Sequence, residues 1–153
     1  MNFDMEGSIK QHFWFLVDEY KFSYSDSMFL SNDLELRITL EREPPGAPGT
    51  YLPGIYFKRV GEPDHTILTL YWLLYYFANA EPYLDFHSKS MNENMKYSSD
   101  LLKKYGQKIF GEVDDWWLPS QKFRLNVLEQ QYQEVAPRTF QKLYDYIKAK
   151  EGH

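Results

Sequence analysis

Between Leu34 and Glu41 the chain reads LELRITLE, a faultless alternation with Leu34, Leu36, Ile38 and Leu40 on one side and Glu35, Arg37, Thr39 and Glu41 on the other. Successive side chains of a strand point to opposite faces, so a period of two predicts a strand with one buried and one wet face. Such a strand needs neighbours of the same kind. Upstream, Phe22, Tyr24, Asp26, Met28 and Leu30 alternate with Ser23, Ser25, Ser27 and Phe29, and Ser31-Asn32-Asp33 supplies turn residues. Downstream, Pro44–Gly49 reads PPGAPG, which lacks the donors a ladder needs and predicts a surface loop. YLPGIYFKRV comes next, with Pro53 and Gly54 near its start suggesting an edge strand with a bulge there. The expectation is a three-stranded antiparallel meander of Phe22–Leu30, Leu34–Glu41 and Ile55–Arg59, with Leu36, Ile38 and Leu40 facing the core.

Helical periods flank this block. Ile9, Phe13, Leu16, Val17 and Tyr20 predict an amphipathic helix over Ser8–Tyr20. Thr66–Ala78 is apolar nearly all round, as a helix covered on several sides should be, and Pro82 is its expected stop. Ser90–Lys96, SMNENMK, reads as a solvated loop within a stretch from residue 82 to 97 that carries no clear period. Ser98 or Ser99 then suits an N-cap, with Leu101, Tyr105 and Ile109 as a stripe and Gly111 just past the end. Pro119 fits the first position of a further helix carrying Leu125, Leu128, Tyr132 and Val135, which Pro137 breaks. Phe140, Leu143, Tyr144 and Ile147 mark a last one, with Lys148 and Lys150 at the end that favours cations. One helix, then strands, then four or so helices: that segregation predicts an α+β fold, and 153 residues suit a single domain.

Composition narrows the function classes. There is no cysteine, which removes disulfides, thiolate chemistry and cysteine-held metals together and fits a reducing compartment. The start, MNFDMEGSIKQ, has acids where a signal peptide carries bases and no apolar run, so the expected location is the cytoplasm. Ile67–Ala78, the longest apolar run, is well short of the roughly twenty residues that cross a bilayer. A net charge of −5 argues against nucleic acid as the partner and in favour of a basic one. With thirteen Tyr, eleven Phe and four Trp, the chain is rich in rings that serve either a core boundary or a contact surface.

Catalytic and ligand motifs are sparse. The four histidines, His12, His65, His87 and His153, form no i, i+4 pair and no zinc pattern; Asp85-Phe86-His87 is the nearest approach to one, and no metal or cofactor is expected. The glycines of GAPG precede a strand, so they build no phosphate cradle, and no serine sits in a nucleophile elbow. The densest chemistry is Gly111–Gln121, GEVDDWWLPSQ. Lying between the Gly111 stop and the Pro119 start, it reads first as a helix junction, with Asp115 capping the next helix and a tryptophan sealing the core. Its exposed members read second as protein contacts. A third reading is catalytic: a carboxyl against an indole has its pKa raised, so Asp114 and Asp115 would suit a small hydrolase.

The order of FLVDEYKF, SNDLELRITLERE, YWLLYYF and LLKKYGQKIFGEVDDWW resembles small cytosolic bacterial α+β families that include immunity proteins of polymorphic toxin systems, over about residues 10–120. The resemblance implies a stoichiometric inhibitor that covers a toxin's active site; no contact residue is carried over with it. The residues themselves agree with a non-catalytic protein-binding module, and a regulatory adaptor without a toxin partner fits them equally. The expected contacts are Glu35, Glu41, Asp114, Asp115 and Trp116, since acids steer a basic partner in and a ring anchors it.

Overall fold

A computed structural model describes residues 4–42, 51–84, 90–131 and 137–152. The expected Pro44–Gly49 loop, the Asp85–His87 pair and the stripe positions Tyr132 and Val135 lie outside them. Among the described residues the architecture is mixed α/β, with a five-stranded antiparallel sheet where three strands were expected. The strands are β1 (Ser23–Ser25), β2 (Met28–Leu30), β3 (Leu34–Arg42), β4 (Tyr51–Arg59) and β5 (Leu68–Thr69), and they lie in sequence order. Helices α1 (Met5–Phe13) and α2 (Phe15–Asp18) precede the sheet; α3 (Leu70–Ala78), α4 (Met91–Lys104), α5 (Gly106–Ile109), α6 (Val113–Gln131) and α7 (Pro137–Glu151) come after it.

The extra strands come from two stretches whose local pattern misleads. Phe22–Leu30 is a hairpin, because Asp26 and Ser27 both take left-handed backbone, with φ of 52° and 63°, and pair Ser25 directly with Met28. Two successive positive φ values make the tight turn whose twist matches a hairpin, usually built by Asn-Gly. Folding the strand back changes the parity of the pattern, so Phe29 is fully buried and Leu30 is exposed, the reverse of the single-strand reading. The second stretch is Thr66–Ala78. A 3₁₀ turn over Asp64–Thr66 leads into β5, which pairs with Tyr56 and Phe57, and the helix begins only at Leu70. Thr69 caps it, accepting from the Trp72 amide at 3.4 Å, and left-handed Asn79 ends it before Pro82 is reached.

β3 and β4 pair over nine residues with no bulge, from Leu34 opposite Arg59 to Arg42 opposite Tyr51. The expected bulge at Pro53 and Gly54 is absent: among the described residues β5 pairs only with Tyr56 and Phe57, so the donor that Pro53 lacks breaks no ladder bond there. Leu34, Leu36, Ile38, Ile55 and Phe57 fill the inner face, each at most 3% exposed. Leu40 was expected there and is 42% exposed. It stands opposite Pro53, one pair beyond Ile38 and Ile55; Pro53 on β4 is still buried there while Leu40 on β3 is not.

Helix boundaries also move. Ser90–Lys96, expected as a loop, opens α4: Ser90 Oγ accepts from the Glu93 amide at 3.1 Å and the Ser90 amide donates back to Glu93 Oε1 at 3.3 Å. This capping box sets the true start, and Ser98 and Ser99, expected as caps, are buried inside the helix. Between α4 and α5 the chain passes tightly under Tyr20; a Cβ on Gly106 would lie 2.7 Å from the Tyr20 hydroxyl oxygen. α6 starts at Val113 and runs through Pro119 rather than from it. Asp115 and Pro119 are both on the solvent side, so the carbonyl deprived of its donor is on the wet face.

Serine at the second turn position carries a left-handed cost of about 1–2 kcal/mol that glycine avoids, partly offset by glycine's larger entropy loss. Ser27→Gly is therefore expected to raise unfolding stability by roughly 0.5–1 kcal/mol, read from urea midpoints at constant slope. Unchanged or lowered stability would contradict the turn assignment.

Candidate functional site

The alternation that buries Leu36 and Ile38 necessarily places Glu35, Arg37, Thr39 and Glu41 on the other face of the sheet. Cross-strand pairing sets Lys58 against Glu35, Tyr56 against Arg37 and Gly54 against Thr39, with Met28 beside Arg37 from β2. Apart from Gly54, these residues are half-buried or exposed. Met28, Glu35, Arg37, Thr39, Tyr56 and Lys58 line a groove of about 370 Å³, walled on its far side by Asp64 and Ile67 from the turn before β5.

Its polar groups are ordered by one another. Lys58 Nζ lies 3.6 Å from Glu35 Oε2 and 3.4 Å from Asp64 Oδ1, so one cation bridges strand and turn. Exposed pairs of this kind contribute about 0–1 kcal/mol each, so they fix side-chain direction more than they stabilise the fold. Arg37 Nη2 reaches Met28 Sδ at 3.6 Å, its one hydrogen-bond contact among the described residues. Glu41 lies back over β4 with Oε1 3.5 Å from Thr39 Oγ1. A Cβ at position 54 would come within 2.5 Å of that carboxylate, so glycine here lets Glu41 lie flat on the strand.

The wall is held from the interior. Arg124, on α6, donates from Nη1 to the Ile67 carbonyl and from Nη2 to the His65 carbonyl, both at 2.6 Å; Gln121 Nε2 donates to the Thr66 carbonyl at 2.7 Å. Burial lowers the Arg124 guanidinium to about 10, which still leaves it charged at neutral pH. These two residues were not among the expected site residues. Their signal is positional: 117, 121, 124 and 128 follow one helical stripe, so a glutamine and an arginine occupy places between Trp117 and Leu128 where apolar residues belong.

The expected contacts separate into three environments. Glu35 and Glu41 lie on the outer face. Asp114 and Asp115 are exposed on the first turn of α6, and Asp114 pairs with Arg59, whose side chain leaves β4 on the face opposite Lys58. Trp116 is a correction: it is 3% exposed, donates from Nε1 to the Ile109 carbonyl at 3.0 Å and packs edge-on against Phe77. Trp117 is 1% exposed and donates to the Tyr146 hydroxyl at 3.0 Å. Both indoles point into the core while both carboxylates face solvent, so the carboxyl-on-indole contact behind the hydrolase reading is not formed. Asp115 caps no helix at Pro119, because that helix has already begun.

A second hollow, of about 450 Å³, lies between Lys21, Asn32, Asp33 and Phe110. Its neighbouring polar groups are engaged locally: Lys21 Nζ donates to the Asp18 carbonyl at 2.8 Å, and Ser31 Oγ accepts from the Leu34 amide at 3.0 Å. Among the described residues no cluster of His, Asp and Glu has the geometry to hold a metal ion, and no helix is long and apolar enough to cross a membrane. Searches against protein-family models, curated proteins and solved structures return no match.

Two outcomes are expected. Trp116→Ala should cost about 3–5 kcal/mol in a denaturation curve, the range for a large core side chain rather than for a surface anchor. His65 has its pKa lowered below the ordinary 6.5, chiefly by burial and further by Lys142 and Arg124. The unfolded chain therefore takes up this proton at higher pH than the folded chain, and stability falls as pH drops below about 6.5. Urea midpoints at pH 7.5 and 5 should show a smaller loss in His65→Gln than in wild type; an equal loss would place the effect elsewhere.

Proposed function

We propose that this chain is a non-catalytic protein-binding module, an immunity factor that neutralises a bacterial toxin by direct, stoichiometric docking through the outer face of its sheet. The observation that carries the reading is the groove itself. It is a concave surface on a rigid ladder, with paired charges of both signs and a half-buried Tyr56 and Met28 between them. Strand-borne side chains on a rigid sheet hold a fixed pattern at low entropic cost, which favours recognition of one partner. Tyr and Arg are the residue types that most often dominate binding energy, and Tyr56 and Arg37 are direct cross-strand neighbours here.

Glu35 and Glu41 serve this surface as orienting charges. Asp114 and Asp115 belong to a separate surface and assist by long-range steering of a basic partner, which acts on the rate of encounter. The overall charge of −5 and the likeness to immunity proteins support the same partner class.

The test is co-expression with the product of the adjacent gene. The expected result is rescue of growth from a toxic neighbour together with one-to-one co-purification. Tyr56→Ala should weaken the complex by about 2 kcal/mol, roughly 30-fold in Kd, with an unchanged denaturation midpoint. A toxic neighbour that is neither neutralised nor bound would overturn the immunity reading, and tight binding untouched by both Tyr56→Ala and Arg37→Ala would remove the outer face from it.

A further inference from the structure

We propose that Arg124 and Gln121 are positioning residues of the groove, holding the Asp64–Thr66 turn from inside the protein so that Asp64 and Ile67 stand as its wall. The inference rests on the docking role of the outer face, and it assigns to a buried pair on α6 the shape of a surface on the opposite side of the sheet.

The turn has little holding power of its own. It is a single 3₁₀ turn, closed by the Thr66 amide and hydroxyl on the Pro63 carbonyl, at 3.0 and 2.6 Å, and by the Ile67 amide on the Asp64 carbonyl at 3.1 Å. The strand after it pairs through only two residues. Such segments open at a cost well below that of global unfolding unless something ties them down. Here three consecutive carbonyls, of His65, Thr66 and Ile67, are each taken by a donor from α6.

Donor geometry explains the choice of residue. A guanidinium is a planar fork, and its two terminal nitrogens span the carbonyls of residues i and i+2 while Gln121, one turn earlier, takes the carbonyl between them. A lysine ammonium donates from a single nitrogen and does not reproduce a fork whose two separate nitrogens each lie 2.6 Å from their own carbonyl. The cost of this arrangement is visible. Arg124 is 6% exposed and none of the described carboxylates pairs with it, while its Nε and the Gln121 Oε1 are buried with no hydrogen-bond partner among the described residues. An apolar pair at these positions would avoid a desolvation penalty of several kcal/mol. A buried cation whose partners among the described residues are the carbonyls of one surface turn is therefore a device for placing that turn. Lys58, bonded to Asp64 from the outer face, completes the placement from the other side.

Native-state hydrogen exchange tests this without the partner. Arg124→Lys and Gln121→Met are measured against wild type, with the Thr66 and Ile67 amides reporting the turn and the Leu36 and Ile38 amides reporting global unfolding. Expected is a rise in exchange at the turn at least about tenfold larger than any rise in β3. If both sets of amides change together, the pair merely stabilises the whole fold; if neither changes, the turn holds itself. Either result overturns the proposal. Gln121→Met is close to isosteric and keeps the test valid should Arg124→Lys fail to fold. The same two variants should lose affinity in the co-expression assay. A loss of the toxin reading would leave the exchange result standing, and the two failures remain distinguishable.

Discussion

The nine-residue ladder between β3 and β4 is the constraint on which the rest of the structure depends. Its register decides which residues meet, and a period of two then assigns every side chain to a face. Leu36 and Ile38 meet Phe57 and Ile55 on the inner side. Glu35 and Arg37 meet Lys58 and Tyr56 on the outer side. A slip of one residue would invert the whole arrangement, placing charged side chains in the core. Burial of the inner face thus defines the outer one, and the proposed docking surface is a geometric consequence of how the core is made.

The helices complete this by fastening one side only. α4 contributes Met95 and Leu102 to the core, and α6 contributes Val113, Trp116 and Trp117. The two indole N–H groups find the Ile109 carbonyl and the Tyr146 hydroxyl, so the rings are buried without an unmet donor. Burial pushes the Tyr146 hydroxyl up to about 12, so it remains a neutral partner for Trp117 across the working pH range. One turn beyond the tryptophans the same helix turns polar on its inner side, and Gln121 and Arg124 reach the turn before β5. α6 therefore joins the core to the edge of the groove through a single rigid element.

This coupling gives the groove two kinds of wall. On one side strand residues are fixed by the ladder, at no cost beyond the fold itself. On the other, Asp64 and Ile67 are held in place by a buried cation and a buried amide that leave polar atoms unpaired among the described residues. Polar interiors of this kind are costly when partly satisfied. Their presence at one turn, beside a surface ordered by ion pairs, distinguishes the groove from the second hollow, where Lys21 and Ser31 bond to backbone three residues away and Ser23 bonds to its hairpin partner Leu30.

The sequence by itself determined the existence and the facing of the main strands and helices. The alternation in Leu34–Glu41 requires a strand with a wet face, and Glu35, Arg37 and Glu41 lie there as their positions demand. The apolar stripe of Ile9, Phe13 and Leu16 requires helical backbone, although the single helix expected over Ser8–Tyr20 is divided at Trp14 into α1 and α2; Pro137, expected as a breaker, is the first residue of α7. What only the tertiary structure decided was every feature set by long-range contact overriding a local preference. Asp26 and Ser27 turn a strand into a hairpin although neither is glycine, because β3 pairs with the Met28–Leu30 strand beyond them. Thr66–Thr69 leaves a helical pattern to join β4. Pro119 sits inside a helix because Val113, Trp116 and Trp117 anchor the turn before it. Trp116, which its neighbours in sequence made look like a contact, is core for the same reason. The Arg124 clamp was legible only as a polar residue in an apolar stripe, since its partners are carbonyls more than fifty residues away, which no local pattern brings together.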